Sequence, residues 1–173
     1  ESIDKEIDDG KSFLKFTAQD IERQFVETLL EAVGDNGTIF AHNAKWVEIR
    51  ILNLLKNKDS CMDLANKIDK IIDRVEDSLI LSRMNFYSPK MNGEWKIKSI
   101  IKAIPDCPVS YDGQDNIGGG DEAQLAWFIY TDTKTNNDQR KEQIKNLLNY
   151  CAKDTLALYY LIKFLMNKSN EQS

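Results

Sequence analysis

Tyr150 and Asp154 are the residues whose types and spacing most clearly suggest chemistry. They lie four residues apart in a long amphipathic pattern near the C-terminus, so their side chains would be neighbours one turn apart on an α-helix. A phenol beside a carboxylate can present a hydrogen-bonding group and a metal ligand to one point. The pair equally suits an ordinary packed helix, and both interpretations stay open.

Two further stretches place polar residues where apolar segments begin or end. His42 and Asn43 directly follow the apolar residues 38–41, and Asp77 precedes the apolar run 78–81. Ligand and catalytic groups are common at the carboxyl ends of strands in α/β sheets. Each residue also has a structural alternative. Asn43 can cap the following helix, Asp77 can bind backbone amides, and His42, the only histidine, can be a packed residue.

Lys96, Lys98 and Lys102 form a small basic patch with Trp95 and Tyr87 nearby. Lysines and aromatic rings together suit phosphate contact and base stacking. The same residues suit an amphipathic helix whose lysine stems cover apolar surface. Glycines 118–120 precede a predicted helix but lack the lysine and hydroxyl residue of a phosphate-binding loop, so we interpret them as a hinge.

The order of predicted elements favours one α/β domain. We predict an acidic N-terminal segment over residues 1–11, a single domain over 12–166 and a disordered tail over 167–173. Predicted strands cover 12–17 and 38–41, and the run 77–81 is a strand or a helix start. Predicted helices cover about 20–33, 46–55 and 60–74, a segment that stops before Pro105, 121–130, and a long C-terminal segment after a polar link at 131–137.

Composition excludes several classes of protein. With 173 residues, 42% hydrophobic and 29% charged, the chain has the composition of an ordinary globular domain. A net charge of −5 argues against a broad basic surface for nucleic acid, although a metal-dependent nuclease site is itself a cluster of carboxylates. The sequence predicts no membrane span and no signal peptide. Three widely spaced cysteines predict neither a zinc site nor disulfides, so we expect a cytoplasmic setting.

Together these motifs resemble the DEDD group of 3′–5′ exonucleases, which have the ribonuclease H-like fold. The chain more closely resembles a bacterial family, domain of unknown function 2779, whose members are often attached to RecB-like nuclease domains. The similarity runs from about residue 12 to 165. The residues that carry the likeness to the exonuclease group are Asn43, Asp77-Ser-Leu-Ile and Tyr150-x-x-x-Asp154-Thr155. Those that carry the likeness to the bacterial family are Asn43-Ala-Lys-Trp46, Tyr87-Ser-Pro-Lys-Met-Asn-Gly-Glu-Trp-Lys-Ile-Lys98, Pro105, Tyr111, Gly118-Gly119 and Tyr150-Cys-x-x-Asp154-Thr155-Leu-Ala157.

The resemblance implies a fold, a cofactor and a set of site residues. The fold would be a ribonuclease H-like mixed sheet flanked by helices, without its first strand or two. Asp154 would bind Mg²⁺ or Mn²⁺, and Tyr150 would orient the attacking water. The residues expected to contact a nucleic-acid substrate are Asn43, Asp77, Lys96 and Lys98.

Two departures from the family pattern weaken the catalytic interpretation. The family's first motif is an Asp-x-Glu on an apolar strand. Asp4 and Glu6 have similar spacing, but they stand in a polar stretch, so we expect the motif to lie before Glu1. The second-motif acid is replaced by Val47, and Glu48, one helical position further, would be turned roughly 100° away. One carboxylate cannot hold two magnesium ions.

We therefore expect an exonuclease-like, nucleic-acid-associated domain from a longer protein. This chain would be inactive, with weak metal binding or none. The alternative is a non-catalytic interaction or scaffold module attached to a nuclease.

Overall fold

The computed structural model of the chain describes residues 12–14, 20–111, 117 and 119–171, with side chains described as far as residue 169. These residues form two compact units where the sequence predicts a single domain. The first unit contains Phe13 to Tyr87, and the second contains Ser12 and the described residues from Ser88 onward.

The first unit combines helices with a very small sheet. Its elements are α1 (Ile21–Val33), β1 (Ile39–Ala41), α2 (Glu48–Leu55), a 3-10 turn (Asp59–Leu64), α3 (Ala65–Ile72), β2 (Val75–Asp77) and α4 (Ser78–Asn85). The strands β1 and β2 pair in parallel, with Ile39 opposite Val75 and Ala41 opposite Asp77. Because the pairing is parallel, both strands end at the same edge.

The core of the first unit follows from helical spacing. Leu64, Ile68 and Ile71 recur at intervals of four and three residues, so they share one face of the α3 segment, and all three are buried. Val26 from α1 and Leu52 from α2 belong to the same buried cluster. This cluster holds α1, α2 and α3 together and so fixes where the two strands end.

The run after Asp77 is a helix start, the second of the two alternatives that the sequence left open. The Asp77 carboxylate accepts a hydrogen bond from the Leu79 amide at 2.9 Å, which makes Asp77 the N-cap of α4. Ser78 and Ser82 are fully buried one turn apart, and the Ser82 hydroxyl donates to the Ser78 carbonyl.

The second unit is helical. It contains a 3-10 turn (Pro89–Met91), α5 (Ile97–Ile101), α6 (Gly120–Thr131) and α7 (Asn137–Glu171), and both α5 and α6 contact α7. Helix α7 continues to Glu171, within the segment that we expected to be a disordered tail. No helix among the described residues is long and apolar enough to cross a membrane.

The expected ribonuclease H-like mixed sheet is wrong for this chain. The structure is 65% helix and 4% strand, and the only sheet among the described residues is the parallel pair of three-residue strands. Part of the difference has a local cause, because Asp77 caps the helix α4 where the sequence also allowed a strand. The predicted strand 12–17 lies partly outside the described residues, and residues 12–14 form no strand.

Arg74, the residue before β2, binds the turn between α1 and β1. Its guanidinium donates to the carbonyl oxygens of Val33, Gly34, Asn36 and Gly37 at 2.6–3.0 Å. The Arg74 carbonyl in turn accepts from the Ile39 amide at 2.9 Å. One side chain thus satisfies carbonyls at the end of α1 and sets the approach to β1.

We expect Arg74→Lys to lower the free energy of unfolding by about 2 kcal/mol, because an ammonium group cannot reproduce the planar fork that reaches several carbonyls. Urea denaturation followed by circular dichroism measures the change. Arg50→Lys is the matched control, since Arg50 is exposed and makes no ion pair with another described residue. Equal effects of the two substitutions would contradict the role assigned to Arg74.

Candidate functional site

The carboxyl ends of β1 and β2 bring together two of the residues singled out from the sequence, Asn43 and Asp77. One oxygen of the Asp77 carboxylate accepts hydrogen bonds from the amides of Asn43 and Leu79, each at 2.9 Å. The other oxygen accepts from the Lys45 amide at 3.3 Å. Asn43 and Asp77 therefore lie in contact, and the contact uses the backbone of Asn43.

Asn43 has a left-handed backbone with φ of 64°. Asparagine adopts this conformation more readily than most residues do. Its carbonyl accepts from the Trp46 amide at 3.1 Å, which turns the chain toward α2. Val47 occupies the N-cap position of α2, so the alternative in which Asn43 caps this helix is wrong.

His42 contacts a buried hydroxyl group. Its Nδ1 lies 2.9 Å from Oγ of Ser78, which is fully buried at the start of α4. A serine nucleophile must be reachable by its substrate, and Ser78 is not. The contact therefore supports the structural interpretation of His42 as a packed polar residue.

Glu48 interacts with Asp77 in the structure, a proximity that the sequence analysis does not indicate. The predicted helix begins at residue 46, whereas α2 begins at Glu48 with Val47 as its N-cap. Although much of Glu48 is exposed, desolvation raises the pKa of its carboxyl group, and the negative charge of Asp77 raises it further. The structure thus brings two carboxylates within electrostatic reach of each other.

The edge formed by the ends of β1 and β2 has few groups available to bind a metal ion. A cation would relieve the repulsion between Glu48 and Asp77. However, Asp77 already accepts three backbone hydrogen bonds. No group of three or more histidine, cysteine or acidic residues is arranged to hold a metal ion within the described part of the chain.

In the second unit, Asp154 is a shared acceptor for two phenols. The Tyr111 hydroxyl donates to the Asp154 carboxylate at 2.7 Å. Partial burial raises the pKa of Tyr150, and a hydrogen bond to Asp154 and the charge of that carboxylate raise it further. Tyr150 is therefore a neutral donor at physiological pH, which fits the packed-helix alternative for the pair.

Lys98 lies against the same two rings. Its Nζ atom is 4.8 Å from the ring centroid of Tyr111 and 5.5 Å from that of Tyr150, and Nζ of Lys153 is 5.4 Å from the Tyr111 centroid. Lys96 is apart from this group and forms an exposed ion pair with Glu94 at 3.7 Å. These two lysines of the predicted patch therefore have different neighbours in the structure.

Some sequence candidates fall outside the described residues, namely Asp4, Glu6 and Gly118. Gly119 is the N-cap of α6, whose first turn carries Asp121 and Glu122.

The comparisons with known proteins concern mainly the first unit. The family described as Domain of unknown function (DUF2779) matches residues 2–96. The chain belongs to this family. Searches of curated proteins and of solved structures find no match. The match to the family includes the strand ends and Glu48 but not Tyr111, Tyr150 or Asp154.

We expect Asp77→Ala to lower the free energy of unfolding by about 2 kcal/mol, because it removes the cap of α4 and leaves the turn amides without their acceptor. Thermal and urea denaturation measure the loss. Glu76→Ala is the control, since the preceding residue is exposed on the same strand. A loss from Glu76→Ala as large as that from Asp77→Ala would contradict the role of Asp77.

We expect Glu48→Gln to stabilise the chain at neutral pH by at most about 0.5 kcal/mol. Folding raises the pKa of Glu48 above its ordinary value, so ionised Glu48 disfavours the folded state. The advantage of glutamine should be absent below pH 4.5, where the carboxyl is protonated in both states, and should develop as pH rises through the raised pKa. Denaturation of both proteins from pH 4 to pH 8 measures the difference, and a difference that does not change with pH would contradict the argument.

Proposed function

We propose that this chain is a non-catalytic interaction module of a larger, nuclease-related cytoplasmic protein. The observation that carries the proposal is that the protein's own donors occupy both carboxylates expected at the site, Asp154 as the metal ligand and Asp77 as a substrate contact. Asp77 accepts three backbone amides, and Asp154 accepts phenol hydrogen bonds.

Carboxylates that already accept hydrogen bonds from the protein have little capacity to bind Mg²⁺. Magnesium needs near-octahedral oxygen ligands and gives up its waters reluctantly. The amides of Asn43, Lys45 and Leu79 already use three acceptor positions of Asp77, and a carboxylate has about four, so little capacity is left for a cation. The arrangement is that of carboxylates that hold structure.

Exposed apolar side chains supply the surface for an interaction. Trp46, Val47, Ile51 and Leu54 are all exposed, and they lie in and just before α2. Soluble chains rarely expose contiguous apolar patches unless a partner covers them. The family resemblance suggests the rest of the parent protein as that partner, including a RecB-like nuclease domain.

The second candidate function is exonuclease-like hydrolysis of nucleic acid with Mg²⁺ or Mn²⁺. It is favoured by the proximity of Glu48 and Asp77, because carboxylates that repel each other are common at metal-dependent sites. Lys96 and Lys98 would then contact phosphates, Asp154 would be a metal ligand, and Tyr150 would orient the water. Further ligands would have to come from the longer protein.

We expect no metal-dependent hydrolysis of labelled single-stranded DNA or RNA by this chain, and no micromolar binding of Mg²⁺ or Mn²⁺ by calorimetry. Asp154→Ala should instead lower the free energy of unfolding by about 2 kcal/mol, because Tyr111 and Tyr150 lose their acceptor.

Glu142→Ala, on the exposed surface of the same helix, is the control and should change stability by less than about 0.5 kcal/mol. Hydrolysis that Asp154→Ala or Glu48→Gln abolishes while the fold is retained would refute the module and support the second candidate.

A further inference from the structure

Helix α6 is apolar on almost every side. Its residues from Leu125 to Tyr130 form an unbroken apolar run, so apolar side chains point in all directions around the helix. A helix with this composition is usually buried on all sides. In this chain α6 contacts α7, and Ala126 is buried, but the other side of the helix is open to solvent.

The open side of α6 carries Leu125, Phe128 and Ile129, which we call the α6 patch. Intervals of three and four residues from Leu125 place these side chains together on one face of the helix. Leu125 and Phe128 are 57% and 58% exposed, and Ile129 is 37% exposed. Soluble chains rarely leave a contiguous apolar patch uncovered, so the α6 patch calls for a partner.

The N-terminal end of the α6 patch is acidic. Asp121 and Glu122 lie in the first turn of α6, and the helix contains no basic residue. Asp121 is four residues before Leu125 and therefore lies beside it on the same face.

Cations predominate at the other end of the α6 patch. Lys134 lies in the link between α6 and α7 and makes no ion pair with another described residue. Arg140, in the first turn of α7, donates to the Asp132 carbonyl at 2.8 Å, and Lys141 follows it. These three cations outnumber the two acids of this end, Asp132 and Asp138. The Asp132 carboxylate also accepts a hydrogen bond from the Lys134 amide at 2.9 Å.

From this distribution of charge we propose that α6 of one chain packs antiparallel against α6 of a second copy, about a two-fold axis through the α6 patch. Near the axis Leu125 and Phe128 of each chain pack against those of the other. Asp121 of each chain then faces Lys134 of the other, so opposite charges meet twice. A parallel pair would place Asp121 against its own copy, and the charges therefore select the antiparallel arrangement.

This contact is separate from the α2 surface of the proposed function, and it uses elements of the second unit alone. It is confined to one helix of 12 residues and the link that follows. Interfaces of this small class are typical of transient association, so we expect a dissociation constant of roughly 100 µM. The apolar centre supplies most of the affinity, and the charges set direction and register.

Sedimentation velocity of the full chain from roughly 5 to 500 µM tests the proposal. We expect a monomer–dimer equilibrium that Leu125→Glu and Phe128→Glu each weaken by about tenfold or more. Leu54→Glu and Met84→Glu are the matched controls, because Leu54 and Met84 are exposed apolar residues outside α6, and both should leave the dimer unchanged. Circular dichroism checks that every variant is folded.

A mixture of two charge variants tests the antiparallel pairing itself. Asp121→Arg alone places like charges at both symmetric contacts, and so does Lys134→Glu alone. Each variant should therefore dimerise about fivefold more weakly than the wild type. In a mixed dimer the two introduced charges face each other at one contact, and Asp121 faces Lys134 at the other. We expect the mixed dimer to regain about the wild-type affinity, measured with one variant fluorescently labelled.

Three results would overturn the proposed dimer. They are a chain that stays monomeric over the whole concentration range, a dimer that Leu54→Glu or Met84→Glu dissociates, and a mixture that associates no more tightly than the single variants. A monomeric chain would leave the interaction module of the proposed function standing, because that proposal is tested by nucleic-acid hydrolysis and metal binding. The two failures are therefore distinguishable.

Discussion

The first unit depends on the carboxylate of Asp77 more than on any apolar contact at the strand ends. Two parallel strands of three residues share few backbone hydrogen bonds and cannot define a sheet edge alone. Asp77 adds hydrogen bonds to amides on both sides of the pairing, in the turn after β1 and in the first turn of α4. At the other end, Arg74 does the same with carbonyls before β1. One anion and one cation thus fasten opposite ends of the same short sheet to the flanking backbone.

The helices could be predicted largely from the sequence, whereas the sheet could not. The spacing of apolar residues predicts α1, α2, α5 and α6 to within a few residues, because a face that repeats every 3.6 residues is a local property. The predicted helix 60–74 is a 3-10 turn followed by α3. A sheet requires pairing between distant segments, and here only residues 39–41 and 75–77 pair. Resemblance to the ribonuclease H-like group predicted more strands than the described residues contain.

The candidate site shows the same division between local and distant information. Tyr150 and Asp154 are neighbours on one helix, and their spacing alone predicts the contact that shifts the pKa of Tyr150. Tyr111 is 43 residues away from Asp154, so no periodicity could have indicated its hydrogen bond. The interaction of Glu48 with Asp77 was not indicated by the sequence because the two residues are far apart in the chain and on different elements. The contact between Asn43 and Asp77 depends on the pairing of β1 with β2, and the residues of β2, Val75 to Asp77, give no apolar pattern that would have indicated a strand.

The brevity of β1 and β2 has a consequence for the behaviour of the chain at high concentration. Among the described residues neither strand pairs with a third, so on its outer edge neither strand has a ladder of hydrogen bonds to another strand there. Stacking of chains into cross-β assemblies generally needs segments of six or seven residues. Each strand has three residues, which is too short to template such growth. Strand β2 ends at Asp77, the cap of α4, and β1 is soon followed by Asn43 with its left-handed backbone.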